Sequence, residues 1–221
     1  MKGFILFISL GFLIGLVSFN ETELDSKNTT QNFKSKGYTE EEIDYFKEIT
    51  LKNELNYKIR QSPAKFNRDV KIFIHGQYEP YMLDEVKRVV SDLNDIIDSI
   101  DLSIVNNRSE ANVIMYFGDY QTFISDNPDL KRIDKIKNSE GFFTTKSGGP
   151  TEIESSRIFI NLPKQDGVLD LKDCIREEIT QSLGLFNDTY TYPESTFYGG
   201  QNSVLEYPKI DIKIIKMLYN E

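Results

Sequence analysis

The sequence predicts an α+β protein with a mixed sheet, on three observations. Apolar residues recur at helical spacing along Leu83 to Ile100, where Leu83, Val86, Val89, Val90, Leu93, Ile96, Ile97 and Ile100 make one stripe. Short runs rich in Val, Ile and Phe, bounded by Gly or Asn, read as strands at Val70–Ile74, Leu102–Val105 and Asn112–Phe117. Two further apolar runs, Phe142–Lys146 and Ile153–Leu162, flank Ser147-Gly148-Gly149-Pro150 and read as a hairpin.

The remaining elements follow from local signals. Thr39 with Glu42 three residues on forms a capping box, and Ile43, Tyr45, Phe46 and Ile49 continue that helix to a point before Ser62-Pro63. Asp170 to Leu185 reads as a helix released by Gly184. Pro193 to Asn202 is an irregular aromatic loop, and Ile210 to Tyr219 is a final helix with Ile210, Ile214, Ile215 and Leu218 on one side.

The 221 residues divide into a leader and one domain. Residues 1–20 carry one charge, Lys2, and then only uncharged, mostly apolar residues, the pattern of a secretory signal peptide or an uncleaved N-terminal anchor. The run is short for a membrane span of ~20 residues, which favours the cleaved signal. Either way the domain is expected outside the cytoplasm: secreted, periplasmic or at the cell surface. Residues 21–36 are polar and read as a flexible tether, leaving 37–221 as a single domain. The net charge of −9 argues against phosphate-backbone binding, so no nucleic-acid partner is expected, and membrane contact only through the leader.

Two scarcities limit the chemistry. One cysteine, Cys174, excludes an internal disulfide and a multi-cysteine zinc site. One histidine, His75, excludes any centre built from two imidazoles of one chain.

The informative string is Cys174-Ile-Arg-Glu177-Glu178-Ile-Thr180-Gln181-Ser-Leu-Gly184-Leu-Phe-Asn187-Asp188. On a helix Glu177 and Gln181 share a face with Glu178 beside them, and Gly184 lets the chain turn so that Asn187 can return to that face. This spacing resembles the metzincin signature H-E-x-x-H-x-x-G-x-x-H, with Glu178 at the general-base position and Gly184 at the turn. Glu177, Gln181 and Asn187 stand at the three ligand positions. Ser203-Val204-Leu205-Glu206-Tyr207 is similar to the turn that follows in such chains, with Leu205 in place of Met. The whole pattern, with Ser195-Thr196-Phe197, Asp211 and Leu218-Tyr219, resembles a family of secreted bacterial zincin-like proteins of the DUF2927 type. The resemblance implies a metzincin-like zincin fold: a mixed twisted sheet with long helices, a signature helix, a Met-turn-like loop and a C-terminal helix. It implies no known activity.

One carboxylate and two neutral amides suit zinc poorly, because zinc prefers imidazole and thiolate. Zinc is therefore not expected, and no other cofactor is. Asp188 is a neighbouring carboxylate that a twisted loop could add, giving an all-oxygen set better matched to a hard cation. The leading expectation is a catalytically inactive domain that binds an extended peptide or an envelope protein in its cleft, pairing it with the strand near Phe142–Lys146. Phe186, Tyr190, Tyr192, Phe197 and Tyr198 either line that cleft or pack the loop. The alternative is a hydrolase with Glu178 as general base, working without zinc or with an unusual oxygen-ligated cation. His75 and Cys174 are expected in structural roles. Arg176, about 100° around the helix from Glu177, is expected to be a weak partner for it.

Overall fold

The computed structural model describes residues 30–52, 60–200 and 202–221. The expected signal segment and the first part of the tether lie outside these residues. The described residues fall into two compact units, divided between Asp44 and Tyr45. In the first, residues 30–35 are helical where a tether was expected, and a turn at Gly37 brings Phe33 and Tyr38 into edge-to-face contact at 5.8 Å. Helix α1 (Glu40–Leu51) opens with the capping box: Thr39 N–H donates to Glu42, and Glu42 N–H to Thr39 Oγ1.

The second unit is built on a five-stranded sheet: β1 (Val70–Gly76), β2 (Leu102–Val105), β3 (Val113–Gly118), β4 (Gly141–Gly149) and β5 (Glu152–Asn161), in the order β2-β1-β3-β5-β4. The β1–β2, β1–β3 and β3–β5 pairings are parallel, and the β4–β5 hairpin is antiparallel, which puts β4 at the edge. Nearly every residue of β3 is buried, as expected of an interior parallel strand.

Helix α2 (Pro80–Ile96) buries Met82, Val86, Val89, Val90, Leu93 and Ile96. It starts earlier than the apolar stripe implies, because Pro80 at its first turn fits there without loss of a hydrogen bond. It also stops short of Ile100. The Asn220 side chain donates to the Ile96 carbonyl and accepts from the Asp98 N–H, so the far end of the chain caps this helix. Between β3 and β4 lie α3 (Tyr120–Asp126) and α4 (Lys135–Asn138), which the apolar pattern does not mark. Asp119 caps α3 by accepting from the Gln121 and Thr122 N–H groups. Phe123 of α3 stacks on Phe159 at 4.4 Å within a cluster that includes Tyr116, Ile136 and Phe142.

The signature helix, α5 (Val168–Ser182), packs on α2, β4 and β5, and α6 (Lys209–Tyr219) closes the chain. The succession of sheet, edge hairpin, signature helix, turn and final helix is the one that the zincin resemblance implies. Gly184 has φ +123°, and a Cβ there would collide with the Ala64 carbonyl oxygen. Gly184→Ala is therefore expected to destabilise the protein by about 2 kcal/mol or more. Gly149→Ala, at an open position, should stay within about 0.5 kcal/mol of the parent. Urea unfolding monitored by tyrosine fluorescence measures both.

Candidate functional site

Helix α5 presents its functional residues to two sides because a buried charge fixes its rotation. Arg176 has 0% exposure. Its Nη2 donates to Asp92 at 2.7 Å and lies 3.8 Å from Glu85, both on α2, while its guanidinium stacks over the Tyr207 ring at 4.4 Å. Arg176 is thus committed to α2 and to the Ser203–Tyr207 turn, not to Glu177.

That turn is pinned along the same flank of α5. Val204 N–H donates to Asp173 at 2.8 Å, and the Tyr207 hydroxyl bonds the Thr180 hydroxyl at 2.5 Å. Leu205, at the Met position, lies in the bend of this turn and is half-buried. The preceding loop is anchored by Asp211. Its carboxylate, fully buried, accepts from the Ser195 hydroxyl at 2.6 Å and the Thr196 N–H at 2.7 Å, and the Tyr45 hydroxyl donates to Ser195. The Tyr219 hydroxyl donates to the Leu183 carbonyl where α5 ends. Asp211 and Tyr219, which carry part of the family resemblance, therefore act by holding the loop and the end of the signature helix.

With the helix so oriented, Glu177, Glu178 and Gln181 face a cleft of about 550 Å³ whose opposite wall is β4, from Gly141 to Thr145. Asp188, Phe186, Arg60 and Lys135 also line it. Gly141 is essential to this approach. A Cβ there would stand 2.6 Å from Glu178 Cγ and 2.7 Å from Cys174 Sγ. Only glycine lets the edge strand lie this close to the helix. The sequence carried a signal for it, a lone Gly opening an apolar run, but not the reason.

The expected ligand set comes together only in part. Gln181 Nε2 lies 3.4 Å from Glu177 Oε1 and donates to Asp188 Oδ1 at 2.5 Å. The Asn187 amide instead donates to the Asp188 carbonyl at 2.7 Å. Asp188, one residue further on, reaches the position assigned to Asn187. The reason is the loop geometry: Thr189 N–H bonds the Phe197 carbonyl, and this pairing sets the direction in which residues 187 and 188 project.

The orientation of the Gln181 amide follows from electrostatics. Its carbonyl oxygen facing two carboxylates would be repelled, so the NH₂ must face them. Gln181 thus offers hydrogens, not a lone pair, to the space between Glu177 and Asp188. The lone pairs that the side chains bring to this space are carboxylate oxygens, from Glu177 and Asp188. This is a poor match to zinc, which needs lone pairs and favours nitrogen and sulfur. His75 lies in β1 between the rings of Phe73 and Tyr116, and burial lowers its pKa. Cys174 is buried, and burial together with Glu178 and Glu177 holds its thiol protonated.

The aromatic residues divide between the two roles expected of them. Phe186 lines the cleft and stacks on Phe143 at 6.1 Å. Phe197 is fully buried and Tyr192 packs on Tyr45, whereas Tyr190 is 73% exposed and touches Tyr198.

The chain matches the family described as "Protein of unknown function (DUF2927)" over residues 39–221, and it belongs to that family. No curated protein matches its sequence. Among solved structures it is similar to myroilysin, at 10% identity and a TM-score of 0.47, covering 79% of this chain and 93% of that one. It is also similar to high choriolytic enzyme 1, a hatching enzyme zinc-protease of the medaka Oryzias latipes, at 11% identity and a TM-score of 0.38, covering 69% and 90%.

Burial raises the Asp211 carboxyl from 3.8 to about 6, against the pull of its Ser195 and Thr196 hydrogen bonds. The folded state therefore holds a proton that the unfolded chain has lost between these values. The stability this contributes is full below pH 3.8 and is lost as pH rises to about 6. Relative to Asp211→Asn, the parent should lose about 2 kcal/mol of stability between pH 4.5 and 7.5, read from urea unfolding at both.

Proposed function

We propose that this protein is an extracytoplasmic domain on a zincin-like scaffold that binds an extended peptide along β4 without cleaving it. The observation that carries this reading is the cleft itself. An edge strand, with no partner on its outer side among the described residues, runs beside the signature helix and walls the groove. Unpaired backbone groups on such an edge are a template for strand addition. The absence of hydrolysis follows from the donor chemistry. A zinc peptidase depends on the metal to bring the pKa of its water to ~7, and the Gln181 amide meets the carboxylates with hydrogens where a metal needs lone pairs. Zinc is accordingly not part of this proposal. The physiological partner is a peptide segment or an envelope protein, reached after export directed by residues 1–20.

One observation favours a second reading, hydrolysis with Glu178 as general base. Glu178 is 7% exposed and lies in the cleft directly beneath Gly141, where a strand-added peptide bond would pass. Metal analysis of the purified protein should find zinc far below one equivalent. In fluorescence anisotropy, labelled peptides of β-branched residues should bind, and N-methylation of alternate peptide amides should weaken binding by about tenfold or more. Peptide cleavage between pH 3 and 9 that disappears in Glu178→Gln would replace the binding reading by the hydrolytic one.

A further inference from the structure

The phase of the β4–β5 ladder fixes which groups β4 offers to a ligand. Asn161 N–H donates to the carbonyl of Glu140, the residue directly opposite it in the register. In an antiparallel ladder such hydrogen-bonded pairs alternate with pairs that are not. The backbone groups of Phe142 and Thr144 therefore point at β5, and those of Gly141, Phe143 and Thr145 point away from it, toward an incoming strand. The side chains alternate as well. Phe142 packs with Phe123, Ile136 and Phe159 on one face, whereas on the other a Cβ at Gly141 would meet Glu178 and Phe143 stacks on Phe186. A peptide residue paired antiparallel opposite Phe143 thus directs its side chain to the face of Phe186. Arg60 lines the cleft there. Its guanidinium is half-buried and lies over the Phe186 ring, 5.1 Å from the centroid. Among the described residues no carboxylate pairs with it. Those that share the cleft are placed elsewhere: Glu177 and Asp188 flank the Gln181 amide, and Glu178 lies against Gly141.

We propose that the peptide bound along β4 carries a carboxylate and that the Arg60 guanidinium holds it. The inference rests on the binding reading above and names the class of ligand: a peptide with an acidic side chain, or a chain-terminal carboxylate, at the level of Phe143. A cation drawn out of water without a counter-charge is costly, and burial lowers the Arg60 pKa accordingly. An arriving carboxylate restores the lost interaction through two parallel N–H···O bonds. The geometry suits this. The Phe186 ring takes one face of the guanidinium, which leaves its rim, where all five N–H donors lie, for the ligand. A lysine at the same place in the peptide would meet like charge.

The test uses the full chain and labelled, C-terminally amidated peptides that share one β-branched core and differ in a single central glutamate, glutamine or lysine. In anisotropy titrations the glutamate peptide should bind about tenfold more tightly than the glutamine peptide, and the lysine peptide most weakly. The preference should shrink as salt is raised from about 50 to 500 mM. Arg60→Gln should cost the glutamate peptide about tenfold more than it costs the glutamine peptide. Arg60→Glu should invert the order of the glutamate and lysine peptides, a gain that a misfolded variant could not show. A glutamine peptide with a free C-terminus separates the two sources. If it gains affinity over its amidated form, and loses that gain in Arg60→Gln, the carboxylate is that of the chain end. Equal binding of all these peptides would overturn this inference and leave the strand-addition reading standing. Binding of none would overturn both. A carboxylate preference that survives Arg60→Gln would overturn the assignment to Arg60.

Discussion

The geometry of this protein depends on a charge held away from water. Arg176 lies in the middle of the signature helix with no exposed surface, and its guanidinium is shared among Asp92 and Glu85 of one helix and the face of Tyr207 in the following turn. A buried charge is tolerated only with such partners, and loss of one leaves the others uncompensated. The helix is thereby locked in rotation. With residue 176 facing inward, residues 177, 178 and 181 must face the cleft, since each residue turns the helix by about 100°. The placement of the site follows from a residue that is not in it.

The second organising feature is the convergence of two carboxylates on the Gln181 amide. In a metal centre, side chains converge because each gives a lone pair to a common cation. Here Glu177 and Asp188 converge on the Gln181 amide, which supplies partial positive charge through its hydrogens. The Gln181–Asp188 hydrogen bond connects the helix to the loop beyond Gly184. The arrangement includes the close approach of β4 that Gly141 permits.

A network of hydroxyls and carboxylates gives the aromatic loop its form. Ser195, Thr196 and Asp211 are all buried, and together with Tyr45 they tie the loop, the last helix and helix α1 through one set of hydrogen bonds. Buried polar groups of this kind specify a conformation because any rearrangement leaves them unsatisfied. These bonds hold so irregular a segment in one conformation.

What the sequence determined by itself was whatever depends on near neighbours. The strand order along the chain, the capping box at Thr39 and Glu42, the hairpin around Gly148 and Gly149, the signature helix and its release at Gly184 all rest on interactions spanning a few residues, and periodicity and turn chemistry report these directly. Other features depend on groups distant in sequence. Helix α2 ends at Ile96 because Asn220 caps it; Asp188 replaces Asn187 because Thr189 pairs with Phe197; and Arg176 is a buried anchor because Asp92, Glu85 and Tyr207 meet around it. Only the tertiary structure decided these, since a hydrogen bond or ion pair between remote residues leaves no periodic trace in either segment.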